Sequence, residues 1–216
     1  IVGSPTDLHY LDDYRYVSVR SVGDKSKLRY LRKNVKVVPC TSMLLKDVKG
    51  FRLPIKKPSV GIHLIPGFLR EGDENRLAKW VESLGLHPYL LPITHYNYDF
   101  ALLKKLGSKV RGAKVIPLLK AQEISTLIGR FDYFISSSLH GAIFSYVHNV
   151  PFIVLDRYEK MRFFMEDRGL QQYLFTDLVD MQHAFELLLD SSPDYSEKVA
   201  KDLKVLDRHI QDPVSY

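Results

Sequence analysis

The stretch that most restricts how this chain can fold is Phe131–Lys160, FDYFISSSLHGAIFSYVHNVPFIVLDRYEK. Tyr133–Ile135 is a short apolar run and reads as a buried strand. It breaks into Ser136, Ser137 and Ser138, a residue type that favours turns and helix starts. Leu139, Ile143, Tyr146 and Val147 then recur at helical spacing. Asn149 stops that helix, and Val150–Leu155, with Pro151 at its start, is a second apolar strand. Strand, turn, helix and strand make a βαβ unit, which requires parallel strands. The helix then begins at the carboxyl end of the first strand, where open α/β sheets bind ligands. Its unpaired N–H groups and positive dipole end suit an anion. His140, in the first turn, puts a titratable imidazole beside that anion, where it can deliver a proton.

The rest of the chain repeats the alternation. Strands are expected at Ser59–Ile65, Tyr89–Ile93, Ala113–Leu118 and Tyr173–Phe175. Helices are expected from Asp73 as N-cap to Leu84, from Asp99 to Leu106 with Gly107 as the stop, over Ala121–Gly129 and over Tyr158–Arg168. Two more follow, one capped by Asp177 and running to Asp190, and a last one starting at Asp194 or Ser196. About six strand–helix alternations from residue 59 onward predict an α/β fold: a doubly wound parallel sheet with helices on both faces, Rossmann-like. Ahead of it, Tyr16–Arg20 and Val35–Pro39 read as strands and Ser26–Asn34 as a helix with Leu28 and Leu31 inward. Residues 1–15 show no clear period. Lys46–Pro58, rich in Lys, Arg, Pro and Gly, reads as a linker. The expected organisation is a partial α/β segment and linker over residues 1–57 and a Rossmann-like domain over residues 58–216.

A length of 216 residues suffices for a full core, and 45% hydrophobic with 26% charged residues is the balance of an ordinary globular protein. The net charge of +6 suits anionic partners, either phosphorylated substrates or a membrane surface. The basic residues are scattered and no nucleic-acid-binding motif occurs, so no nucleic acid is expected as partner. One cysteine, Cys40, excludes an internal disulfide framework and fits a reducing, cytoplasmic compartment. No signal peptide and no bilayer-spanning apolar run is found. The first residue is Ile, so a true amino terminus and a leader ahead of it are left open.

Ser136, Leu139, His140, Gly141 and Ala142, then Val150, Pro151, Tyr158 and Lys160, form a pattern that resembles the polysaccharide pyruvyl transferase family. The strand ending in Arg20, with Ser26 shortly after, is similar to the end of that family's first domain. The resemblance implies a GT-B-like fold, of which this chain would hold the second domain and the end of the first. A complete member would carry a Gly-rich half ahead of residue 16. It also implies the activity: the enolpyruvyl part of phosphoenolpyruvate moves onto a saccharide of a surface polysaccharide as a pyruvate ketal. The donor is then a substrate, and no metal or dissociable cofactor is required. The acceptor, free or lipid-linked, would be met at the inner face of the membrane. The chain departs from the pattern twice. The family usually has Arg before Leu-His where this chain has Ser138, and commonly Asp after the second strand's Pro where this chain has Cys40.

The resemblance makes His140 the acid, with Arg20 holding the donor's anionic groups across a cleft as a second catalytic residue. Ser136, Ser137 and Ser138 would bind the donor through hydroxyls and N–H groups. Arg70, in the loop after the strand at 59–65, faces the same carboxyl edge, and Tyr158 and Lys160 follow the second strand of the βαβ unit. Each has a plainer reading. One serine is needed as an N-cap, His140 can be a turn residue, and Arg20, Arg70 and Lys160 can be solvated cations. His63 and His95 read as structural or solvent-facing. His148 lies two turns from His140, too far for a shared metal, and no metal motif occurs. Cys40 shows no activating partner and reads as a small apolar residue. Two rival readings stand beside the transferase: a nucleotide-sugar glycosyltransferase on the same architecture, and a non-catalytic binding module that has lost the Arg at 138.

Overall fold

The computed structural model describes residues 5–32, 34–94 and 98–211. His95 lies outside the described residues. Two parallel sheets are formed: a pair, β1 (Ser18–Val19) with β2 (Lys36–Val37), and a six-stranded sheet. The strands of the larger sheet are β3 (Ser59–His63), β4 (His87–Leu90), β5 (Lys114–Val115), β6 (Tyr133–Ser136), β7 (Phe152–Leu155) and β8 (Leu174–Phe175), in the spatial order β5-β4-β3-β6-β7-β8. Counted within that sheet the order is 3-2-1-4-5-6, the doubly wound arrangement, and its direction reverses between β3 and β6. That switch point is fixed by pairing of Ile62 with Ile135 and of His63 with Ser136. The expected α/β fold and parallel sheet are therefore what the chain forms.

Both faces of the sheet are covered, so its strands are apolar without alternation. Val60, Ile62, Phe134, Ile135, Phe152, Ile153 and Val154 are all buried. The helices are α1 (Val22–Lys27), α2 (Asp73–Ser83), α3 (Asp99–Gly107), α4 (Ala121–Ile128), α5 (Leu139–Val147), α6 (Glu159–Glu166), α7 (Leu178–Ser191) and α8 (Ser196–Gln211). A second, small cluster of Val17, Leu28, Leu31 and Val35 lies under the β1–β2 pair.

Three local expectations are corrected. The helix expected at Ser26–Asn34 lies earlier, at Val22–Lys27, because the Ser21 hydroxyl caps it by accepting from the Asp24 N–H at 3.0 Å. Leu28 and Leu31 still point inward, but from the turns that follow. Gly72, not Asp73, is the N-cap of α2; the Asp73 carboxylate instead accepts from the Arg70 N–H at 3.0 Å. Gly107 is the last residue of α3 rather than its stop. A Cβ there would collide with the Val115 side chain, so glycine lets α3 lie directly on β5. Asp177 caps α7 as expected, accepting from the N–H groups of Val179 and Asp180 at 2.8 and 3.0 Å. Between Leu45 and Pro58 no helix or strand forms, in keeping with the reading of that stretch as irregular.

The β1–β2 pair lies against the six-stranded body through α1 and α6. The Val22 N–H donates to Asp167 at 3.0 Å, Lys27 pairs with Glu159, and Gly23 sits flat against the Phe163 ring. Tyr16 stacks on His209 of α8 with ring centroids 5.3 Å apart. Beyond β2 the chain passes Val38 and Pro39 to Cys40, then makes one tight turn, Thr41–Leu44, against α5. This path carries Cys40 to the start of α5.

Candidate functional site

The turn between β6 and α5 is built from its serines. Ser136 ends β6; its hydroxyl donates to the Ser138 carbonyl at 2.8 Å and accepts from the Ser138 N–H at 3.2 Å. Ser138 is the N-cap of α5, accepting from the Gly141 N–H at 3.0 Å. All three serines are buried, and among the described residues only the Ser137 hydroxyl of the three has no partner. Two of the three hydroxyls are thus occupied in making the turn, more than one cap requires. Gly141 is needed for the same turn, since a Cβ there would run into Ser136 Oγ. Gly141→Ala is expected to push the start of α5 off β6 and to cost about 1–3 kcal/mol, read as a lowered urea midpoint.

His140 follows the cap and is exposed, its ring tilted over Phe144 with centroids 6.0 Å apart. On its other side it meets Cys40. The His140 side chain, outweighing burial, brings the Cys40 thiol pKa down from the ordinary 9.0 to about 6. Ser42 Oγ donates to Cys40 Sγ at 3.2 Å and adds to the effect. The expectation that Cys40 has no activating partner is therefore corrected. Its partner is 100 positions away in sequence, and sequence spacing carries no trace of it.

A hollow of about 20 Å³ opens beside this pair, room for about one water. Arg20, Asp24 and Cys40 line it from the first segment, Leu139 from the start of α5, and Lys160 and Arg168 from α6 and its end. Arg168, unremarked in sequence, is 8% exposed. Its guanidinium lies over Phe164 at 4.0 Å and pairs with Asp202 at 2.6 Å, while its Nε is buried without a partner among the described residues. A cation held this way by aromatic faces and one carboxylate keeps donor capacity in reserve.

Arg70 is elsewhere. It lines a larger cleft of about 470 Å³ at the carboxyl ends of β3, β7 and β8, together with Arg76, Arg157 and the start of α7. Arg76 is paired with Asp73 at 3.2 Å. Tyr158 is exposed between the two cavities, with Lys160 Nζ 5.5 Å and the Arg157 guanidinium 5.9 Å from its ring centre. The structure thus brings Arg20 and Lys160 to one hollow, lined from α5 by Leu139 and Ile143 but not by His140, and sets Arg70 in another.

Under the switch point lies a buried polar pair that sequence reasoning missed. His63, the last residue of β3, and Asp99, the first of α3, are both fully buried, with Nε2 3.0 Å from Oδ2. The same carboxylate oxygen accepts from the N–H groups of Ile93 and Thr94 at 2.8 and 2.6 Å and from the Thr94 hydroxyl at 3.1 Å. Burial pushes the Asp99 pKa up, but His63 and these N–H groups together hold it well below the usual carboxylate range. Burial lowers the His63 pKa, with Asp99 offsetting only part of it, so the ring is neutral at pH 7. His148 is a structural histidine, with Ser125 Oγ 3.0 Å from its Nε2. Among the described residues no group of three or more His, Cys, Asp and Glu could hold a metal ion.

Residues 7–158 match the family model described as polysaccharide pyruvyl transferase. A search of curated proteins gives no match. Among solved structures, one titled as Anabaena Alr3699/HepE in complex with UDP and glucose is similar at 10% identity, with a TM-score of 0.59 over 99% of this chain and 67% of that one. TarM is similar at 13% identity, with a TM-score of 0.53 over 97% of this chain. An O-GlcNAc transferase mutant from Thermobaculum terrenum shares 12% identity over 73% of this chain, with a TM-score of 0.43. The chain spans 43% of TarM and 32% of the O-GlcNAc transferase. The first two likenesses concern architecture alone, the α/β fold described above.

Proposed function

Because this chain belongs to the polysaccharide pyruvyl transferase family, we propose that it carries the second half of a site that moves the enolpyruvyl group of phosphoenolpyruvate onto a saccharide. The observation that carries the reading is the meeting of Arg20 and Lys160, 140 positions apart in sequence, in one hollow beside the start of α5. In this scheme the two exposed cations hold the donor's phosphate and carboxylate at the mouth of the hollow, which itself has room for about one water, with Arg168 behind them. His140, exposed at the rim, gives its proton to the donor's methylene carbon, which becomes the methyl group of the ketal. Two sugar hydroxyl oxygens bond to the neighbouring carbon and the C–O bond to phosphate breaks. One hydroxyl proton returns to His140 and the other leaves with phosphate. Ser136 and Ser138 act by fixing the turn that presents His140, and Tyr158 and Arg70 flank the acceptor side.

No helix among the described residues is long and apolar enough to cross a membrane. In our reading the chain works in the cytoplasm at the inner membrane face, where its positive charge favours a lipid-linked acceptor.

Phosphate release and mass spectrometry of the acceptor, with phosphoenolpyruvate as donor, test the reaction. Arg20→Ala and Lys160→Ala are each expected to raise the KM for phosphoenolpyruvate about 10- to 100-fold, the loss of one charge-assisted hydrogen bond of about 1.5–3 kcal/mol. An unchanged KM in both variants would remove the hollow from the donor site. A nucleotide-sugar glycosyltransferase is the second reading, favoured by the 470 Å³ cleft with Arg70 and Arg157 at the sheet's carboxyl edge. Thermal shift separates the two. Stabilisation by UDP-sugars and none by phosphoenolpyruvate would replace the first reading with the second.

A further inference from the structure

Cations are spread along the whole chain, but residues 25–36 hold six Lys and Arg in twelve positions and no Asp or Glu. Leu28, Leu31 and Val35 are drawn into the small core under the β1–β2 pair, which leaves the charged residues between them outside. Lys25, Arg29 and Arg32 are exposed, and among the described residues none of the three has an ion-pair partner. A second basic run, residues 104–114, has five cations, but Lys105 and Lys109 are both paired with Glu74. Carboxylates near the first run are mostly engaged. Glu159 is paired with Lys27, Asp24 accepts from the Ser21 hydroxyl at 2.8 Å, and Asp12 accepts from the Arg32 N–H at 2.9 Å. Asp13 is exposed and subtracts one charge.

Exposed aromatic rings border this run. The tight turns of Pro5–Asp13 pack on the same small core through Leu8 and Leu11, and His9 meets the Tyr30 ring with centroids 5.1 Å apart. Tyr10 and Tyr14 are left outside, 52% and 56% exposed, with their ring centroids 6.2 Å apart. A tyrosine has an apolar body and a polar end, which suits the boundary between lipid and water. Lys25, Arg29 and Arg32 line neither cavity described above, so they are placed for an extended anionic surface rather than a small enclosed anion. We infer that Lys25, Arg29 and Arg32, with Tyr10 and Tyr14, dock the chain on an anionic lipid bilayer. The cations meet headgroup phosphates and the rings settle at headgroup level. Arg20 directly precedes this segment and Lys160 belongs to α6, against which α1 packs, so docking brings their hollow close to the bilayer. The docking itself does not depend on the transfer reading above.

Co-sedimentation with vesicles tests it. The wild-type chain is expected to pellet with phosphatidylcholine vesicles containing about 30% phosphatidylglycerol and to stay in solution with phosphatidylcholine alone. Raising salt from about 0.1 M to about 0.5 M should release it, as screening shortens the reach of each charge. Each cation at the surface is worth about five-fold in partitioning, so Lys25→Ala/Arg29→Ala/Arg32→Ala should weaken binding about 10²-fold. Lys104→Ala/Arg111→Ala/Lys114→Ala removes the same charge from the second run and should weaken it by less than about three-fold. All six side chains are exposed, so both variants should keep the wild-type urea midpoint. Should the first triple variant fail to fold, Arg29→Glu alone carries the test, since it takes away two charges and should cost about 25-fold.

Equal losses in the two triple variants, or equal binding to vesicles with and without phosphatidylglycerol, would overturn the docking face. So would binding to polyuridylate with none to vesicles, which would make the run a nucleic-acid surface. Vesicle binding by a chain that transfers no enolpyruvyl group would leave the docking face standing and sink the transfer reading. Turnover by a chain that ignores vesicles would do the reverse.

Discussion

His140→Gln is expected to lower the rate of ketal formation by about 10²–10⁴-fold, the range of a positioned general acid. Glutamine keeps a hydrogen-bonding group near the right place but holds no proton to give to carbon. The fall should lie in kcat, with the KM for phosphoenolpyruvate little changed, since the proposed donor contacts belong to Arg20 and Lys160. The urea midpoint should barely move, because the ring is exposed and only tilted over Phe144. Steady-state kinetics at saturating donor, beside a denaturation curve, checks both halves. A variant that retains full kcat would take the acid role from His140, and a variant that loses kcat through unfolding would show itself in the second measurement.

Asp99→Ala is expected to cost about 1–3 kcal/mol of stability for each buried donor that loses its acceptor. The variant leaves the N–H groups of Ile93 and Thr94, the Thr94 hydroxyl and the fully buried His63 Nε2 without their common acceptor. The pH dependence follows from the direction of each shift. His63 is lowered in the folded chain, so below the ordinary value of 6.5 the unfolded chain binds a proton that the folded one refuses. Stability falls with pH from there down to the lowered value. Asp99 is also lowered, so its contribution is complete above 3.8 and is lost as pH falls from that value through the lowered folded one. Urea midpoints between pH 8 and pH 3 should decline in these two windows, and Asp99→Ala should show a shallower second decline, since Glu74 and Asp132 are also lowered and contribute there. A pH-independent wild-type midpoint would contradict the buried pair.

Such a pair shows where sequence reading stops. Asp99 was legible as a helix start and His63 as a strand end, but nothing in their spacing says that the two meet. Their meeting follows from β4 and α3 packing beside β3, which turns a helix-starting carboxylate toward the end of the neighbouring strand. The same holds for Arg168, read only as the end of α6 until Phe164, Tyr146 and Asp202 enclose it. The early placement of α1 has a smaller cause. Ser21 and Ser26 are both acceptable caps locally, and the choice between them is made by Asp24 and by contact with α6.

The sequence by itself determined the alternation of strands and helices, the parallel sheet, the βαβ unit with its serine turn and the position of His140 at the start of α5. These are set by local periodicity, by small-residue breaks and by caps, all of which act within a few residues. Only the tertiary structure decided that Cys40 faces His140, that Arg20 shares a hollow with Lys160 and Arg168, and that Arg70 belongs to a different cleft. Those outcomes depend on how the β1–β2 pair docks against α5 and α6. Docking is a sum of many weak contacts between surfaces far apart in sequence, and no short motif encodes it.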